Sequence, residues 1–232
     1  MWSALRGAFP AALACCLMPD HLHLLVPADE EAWERLCKVL GRLGGWPYRR
    51  PPAPGLPLNR EKTRRNVRYV LLNPCRAGLV SDPLEWVWST HRDLIGAVRE
   101  PWPDPGALAG LGIDHRYVSS DPSVAVVGTA APSMEGFKPW EQPLGRVALA
   151  ALAACRSPTS DLRRRTEART VFLQLAWECG WRNATQLGGY CSIRRAAVHR
   201  AWKRERITHE ARLCLADARL YGPGGQGYKS YP

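Results

Sequence analysis

Hydrophobic positions run almost without interruption from residue 11 to residue 26, and residues 11–26 are read as strand. Within them, Leu17 to Val26 is too short and too apolar for an amphipathic helix, which points to a buried strand. Side chains two apart on a strand share a face, so His21 and His23 point the same way while Leu22 and Leu24 enter a core on the other side. From Asp29 to Leu43 the apolar positions Trp33, Leu36, Cys37, Leu40 and Leu43 recur at helical spacing, and Gly44-Gly45 stop the helix. Trp46 to Pro57 is dense in proline and reads as a loop. A second helix is predicted from about Arg60 to Leu72, with Val67, Val70 and Leu71 apolar and Pro74 preventing it from running far.

Between Arg99 and Pro143 the texture changes. Prolines and glycines interleave there, marking connecting segments that pack on a domain rather than form one. Beyond Pro143 the chain becomes helical and arginine-rich. Leu162 to Cys179 has helical periodicity and stops at Gly180. Asn183 to Gly188 reads as a short helix and Gly189-Tyr190-Cys191 as a turn, with Ser192 capping a third helix from Ile193 to Trp202. The pattern divides the chain into a first domain at 1–98, a connecting segment at 99–140, a helical domain at 141–220 and a frayed tail at 221–232.

At 232 residues with 46% hydrophobic and 23% charged positions, the composition is that of a folded globular protein. The formal net charge of +11 comes mostly from arginine, whose fork binds phosphate bidentately. Nucleic acid is therefore the expected partner, with an anionic membrane surface second. The eight cysteines contain no C-x-x-C and no repeating spacing, which fits reduced thiols in a cytoplasmic protein better than disulfides or zinc. Arg6 with the apolar residues 8–17 faintly resembles a leader. Pro10 interrupts that run, however, and cleavage would leave the histidine strand hanging. No stretch is long enough for a transmembrane helix, so no membrane role is expected.

Two neutral imidazoles side by side make a half-site for a divalent metal, although the same pair also suits a half-exposed strand face. On the second helix Tyr69 and Asn73 are four apart and share a face. A tyrosine and an amide brought over the histidine strand would set a nucleophile beside a metal with one further oxygen ligand. Packing is the commoner role for a tyrosine so placed.

Three blocks carry a more specific resemblance. Met18-Pro19-Asp20-His21-Leu22-His23-Leu24-Leu25-Val26 resembles the HUH motif of single-tyrosine transposases, above all the REP-associated tyrosine transposases. Tyr69 to Val80, containing Asn73-Pro74-Cys75-Arg76-Ala77-Gly78-Leu79, resembles their tyrosine segment, and Trp86 to Asp93 resembles the Trp-Ser-Ser-x-Arg block that follows it. The resemblance spans roughly residues 11–98. It implies an α+β, ferredoxin-like domain that nicks single-stranded DNA near hairpins. His21 and His23 match the metal ligands, Tyr69 the nucleophile, and Asn73 a third polar ligand. The implied cofactor is Mg²⁺ or Mn²⁺, and the implied product a 5′-phosphotyrosine with a free 3′-OH. A phenol titrates near 10, so the metal or Arg68 is expected to favour the phenolate, with Arg76 as a further DNA contact. Dimeric relatives share active sites between subunits, which leaves a homodimer open.

Against that family the first domain reads as shortened. About fifteen residues precede the histidine strand where a full strand and helix are usual, and Trp46 to Pro52 replaces an inner strand. An incomplete ferredoxin-like sheet is the expectation, with a catalytically degenerate, purely DNA-binding descendant as the alternative.

The layout of residues 161–203 is that of a helix-turn-helix, and it resembles loosely the C-terminal domain of the replication initiator DnaA. The resemblance implies a last helix that presents Arg194, Arg195, His199 and Arg200 to a duplex major groove. Arg163, Arg164, Arg165 and Arg169 would add phosphate contacts. A small helical bundle with a solvated basic face is the alternative. The DNA reading predicts that replacing Arg194 and Arg195 together by alanine weakens duplex binding and flattens its salt dependence. An unchanged salt slope would put the contact surface elsewhere.

Overall fold

The apolar run near the N-terminus folds as a hairpin of two strands rather than as one strand. The computed structural model describes residues 1–27, 31–42, 59–204 and 208–221. The expected helix stop at Gly44-Gly45, the loop Trp46–Pro57 and the tail from Gly222 lie outside the described residues. The chain divides into two compact units, one of Met1–Ile95 with Pro101–Ala130 and the other of Gly96–Glu100 with the described residues from Ala131. The first runs α1 (Trp2–Ala8), β1 (Ala14–Leu17), β2 (Leu22–Leu25), α2 (Ala32–Arg42), α3 (Arg60–Arg76) and the short helices α4 (His91–Leu94), α5 (Pro105–Gly110) and α6 (His115–Ser119).

Pro19-Asp20 is what divides the expected strand. The Met18 N–H donates to the His21 carbonyl at 2.8 Å, closing a two-residue turn, and proline's restricted φ suits a turn position. β1 and β2 are antiparallel, with Ala14 opposite Leu25 and Cys16 opposite His23. Only β1 is wholly buried; β2 is half-buried along its length. Ala14, Cys16 and Met18 pack with Val67, Val70 and Leu71 of α3. Cys15 and Leu17 pack on the other side with Trp2, Leu5 and Phe9 around α1 and with Val39 of α2. A strand covered on both faces needs an unbroken apolar run, which is what residues 11–18 supply.

The sheet has two strands among the described residues, far short of a ferredoxin-like sheet. The free edge of β1 is nonetheless covered. Leu17 N–H donates to the Trp88 carbonyl at 2.9 Å, and Trp86 Nε1 donates to the Leu17 carbonyl at 3.0 Å. Cys15 N–H donates to the Thr90 hydroxyl at 2.9 Å, and the Thr90 N–H donates to the Cys15 carbonyl at 2.9 Å. Ser89 bridges Cys16. Trp86–Thr90 thus stands where a third strand would be. Buried Arg92 ties down the residues just before that segment, its Nε donating to the Leu84 carbonyl at 2.8 Å.

α3 also departs from expectation, running through Pro74 to Arg76. Proline removes the N–H that would bond the Val70 carbonyl. The Asn73 side chain compensates, its Nδ2 donating to the Tyr69 carbonyl at 2.9 Å with a long 3.5 Å contact to that of Val70. The Pro/Gly-rich segment 99–140 divides between the units. Its α5 and α6 stretch contributes Leu108, Ile113 and Val118 to the core on the α3 side.

The second unit is helical: α7 (Leu144–Ala154), α8 (Glu167–Glu178), α9 (Ala184–Cys191), α10 (Arg195–Trp202) and α11 (His209–Ala216). α8 is its centre, buried from Val171 through Ala176. Gln174 Nε2 donates to the Ala201 carbonyl at 3.2 Å and Trp202 Nε1 to the Leu173 carbonyl at 3.0 Å, tying α10 to α8. α9 extends to Cys191, past the glycine turn expected at 189–191. Ser192 does not cap α10. It ends α9 in the left-handed region at φ 54°, with Ile193 N–H donating to the Gly188 carbonyl at 2.8 Å. A Cβ on Gly188 would lie 2.6 Å from the Ile193 carbonyl oxygen, so this tight α9–α10 turn requires glycine there. No helix among the described residues is long and apolar enough to cross a membrane. The chain is thus mixed α and β, mostly helical, with a small antiparallel sheet.

The edge cover predicts a specific cost. Thr90→Val keeps the shape but removes the hydroxyl partner of the buried Cys15 N–H, and should lower stability by about 1–3 kcal/mol in urea unfolding. A loss near zero would show that the Trp86–Thr90 segment does not anchor β1.

Candidate functional site

His23 projects from β2 toward the same side as α3, and His21 sits at the end of the turn that precedes it. Their Nε2 atoms are 2.9 Å apart, with the rings edge to face at a 4.7 Å centroid separation. Two ligands about 2.1 Å from a common ion and at right angles would be separated by about 3 Å. The 2.9 Å contact is a hydrogen bond between the two rings, and the same spacing fits adjacent positions around one cation. Asp20 Oδ1 lies 2.6 Å from His21 Nδ1, an arrangement in which Nδ1–H donates to the carboxylate and the lone pair falls on Nε2, toward His23. The hydrogen bond from His21 lowers the Asp20 carboxyl below its ordinary range.

Burial, and then the neighbouring His21, lower the His23 imidazole below its ordinary 6.5. The neutral, ligating form is thus favoured. The nearby thiols offer no comparable ligand. Burial pushes Cys75 up to about 12 and Cys16 further still, so both stay protonated, and all eight cysteines are free. Among the described residues no group of three or more His, Cys, Asp or Glu side chains is placed to hold a metal ion. The histidine pair is a two-nitrogen half-site.

Tyr69 lies beside it. The Tyr69 and His23 rings meet edge to face at 5.9 Å, and Tyr69 is 49% exposed. Asn73, four residues on, is buried, with its amide nitrogen given to the helix carbonyls described above.

The cation beside Tyr69 is Arg76, whose guanidinium carbon lies 5.2 Å from the ring centroid. Arg68, expected from the sequence to play that part, instead pairs with Asp121 Oδ2 at 3.2 Å and stacks on Tyr117 at 4.7 Å. Arg76 reaches the same carboxylate oxygen at 3.1 Å. Hydrogen bonding from Ser123, reinforced by the two arginines, holds Asp121 below the usual carboxylate range. Asp20, Asp121 and Ser123 are residues that sequence reasoning did not single out. Asp20 was visible as the neighbour of His21; nothing local marked Asp121, which is 45 positions from Arg76.

In the second unit Arg163, Arg164 and Arg165 lie exposed ahead of α8, and Arg194, Arg195 and Arg200 are exposed along α10. Arg169 and His199 are half-buried. Arg195 Nε donates to His199 Nε2 at 3.2 Å, and the His199 ring packs edge-on against Trp202. Compared with known proteins, the chain matches no protein-family model, no curated protein and no solved structure.

The environment of His23 has a measurable consequence. Its folded-state pKa lies below the unfolded value, so between the two the unfolded chain binds more protons and stability falls as pH drops through that window. Proton NMR of the imidazole should give a His23 midpoint below 6.5. A midpoint at or above that value would mean that the pair is not held as described.

Proposed function

We propose that the first unit cuts and rejoins single-stranded or hairpin DNA through a covalent bond to Tyr69, while the second unit binds duplex DNA. The observation that carries this reading is the meeting of the two histidine Nε2 atoms, 2.9 Å apart, with the exposed Tyr69 ring 5.9 Å from that of His23. Tyr69 lies 46 positions beyond His23 in sequence, and the three residues are the ones the transposase resemblance names. His21 Nε2 and His23 Nε2 would hold a divalent cation, Mg²⁺ or Mn²⁺. When bound, such an ion neutralises charge developing on the scissile phosphate.

The rest falls to the chain's own groups. Tyr69 gives its phenolic proton to solvent water and attacks phosphorus. The phosphorus–O3′ bond breaks, the 3′ oxygen takes up a proton from water, and the 5′ end remains as a phosphotyrosine. Attack by a 3′-OH reverses the sequence and reseals a strand. Arg76, beside the Tyr69 ring, is placed to meet the incoming phosphate. Asp20 keeps the His21 ring turned so that the lone pair falls on Nε2. The reading belongs to the cytoplasm, where DNA and reduced thiols coexist.

A second reading is a descendant that binds DNA without cutting it. It is favoured by the engagement of Asn73 with its own helix and by the pairing of both Arg68 and Arg76 with Asp121.

Incubation with an end-labelled single strand and Mn²⁺ separates the two. Cleavage predicts a denaturation-resistant protein–DNA adduct that disappears in Tyr69→Phe and on chelation. An adduct unaffected by Tyr69→Phe removes the assignment of the nucleophile. Strand binding with no adduct from the unaltered chain selects the second reading.

A further inference from the structure

The second unit contains a cavity of about 750 Å³ between the start of α8 and α10. Arg165 and Arg169 line it from the α8 side, and Arg200 and Arg204 from the α10 side. None of these four guanidinium groups forms an ion pair with another described residue. Among the described residues the one acidic lining residue, Glu167, is already engaged, its Oε1 3.0 Å from Arg99 Nε. Concentrating four unpaired cations around one concavity is unfavourable unless an anion shares it, and a concave cationic surface attracts polyanions strongly.

The remaining lining is apolar or hydroxylic, including Leu173, Ala197, Thr166 and Thr170. Among the described residues it has no aromatic ring to stack on a base, no free carboxylate to accept from a ribose hydroxyl, and no amide to read a base edge. The recognisable feature of the ligand is therefore its phosphates. Within each side one arginine sits on the helix and the other just beyond its end, Arg165 ahead of α8 and Arg204 after α10, so the four cations are spread around the cavity. That arrangement suits a run of phosphates rather than one isolated anion.

We infer that this cavity is a clamp for the sugar–phosphate backbone of a nucleic acid, binding without regard to base sequence. The inference rests on the proposal that the second unit binds DNA, and it changes how: the backbone seats between α8 and α10, with Arg204 added to the contacts. The outer face of α10 then supplies orientation, while the cavity supplies the salt-dependent affinity.

The test uses the full-length chain and two duplex oligonucleotides of unrelated sequence, with affinity measured from 50 to 300 mM salt by fluorescence anisotropy. Each phosphate contact contributes roughly 0.9 to the slope of log affinity against log salt, so Arg169→Gln with Arg204→Gln should reduce the slope by about 2 for both duplexes. The lysine pair, Arg169→Lys with Arg204→Lys, keeps the charge and should restore most of the slope. Thermal melting of each variant separates lost contacts from lost folding. Tripolyphosphate should compete with duplex for the unaltered chain and lose that ability in the glutamine pair. A glutamine pair that melts normally and keeps the parental slope overturns the clamp while leaving DNA binding in place. Absence of duplex binding by the unaltered chain at the lowest salt overturns both.

Discussion

The first unit depends on one constraint: every backbone group of β1 is buried and has to be hydrogen-bonded on both edges. β2 serves one edge through the hairpin. Trp86–Thr90 serves the other, with the Thr90 side chain taking part alongside the main chain. An unsatisfied buried N–H or carbonyl costs more than a single surface contact returns, so this arrangement largely dictates where the rest must lie. Once β1 is fixed, its two faces demand α3 on one side and α1 with α2 on the other. The placement of α3 in turn brings Tyr69 beside His23.

The candidate site is a by-product of that packing in the useful sense. α3 must present Val67, Val70 and Leu71 to the sheet, which leaves Tyr69 at the rim of the buried face rather than within it. The same helix has to survive Pro74. The Asn73 amide, by bonding back to the preceding turn, keeps its last turn intact and Arg76 near the Tyr69 ring. Asn73 thus has a backbone role here.

The two units handle positive charge differently. In the first, Arg68 and Arg76 converge on Asp121, so their charge is compensated and their orientation set. In the second, Glu167 neutralises Arg99, and the arginines around the α8–α10 cavity keep their charge. The excess behind the chain's net +11 is thus organised as well as abundant.

Much of the local chemistry was legible in the sequence. Period-two spacing put His21 and His23 on one face, and helical spacing found most of α2, α3, α8 and α10. These features depend on near neighbours, and near neighbours are what a linear pattern records. The hairpin turn at Pro19-Asp20 was also local, but the apolar run around it masked the signal. Other features could not be read in advance because their causes are distant in the chain. Trp86–Thr90 closes an edge some seventy positions away, Asp121 joins two arginines of another helix, and Ser192 takes a left-handed turn because α10 must return against α8. The sequence by itself determined which groups could do chemistry and which faces were apolar. Only the tertiary structure decided which of those groups meet, because burial and hydrogen-bond satisfaction are settled between segments and not along them.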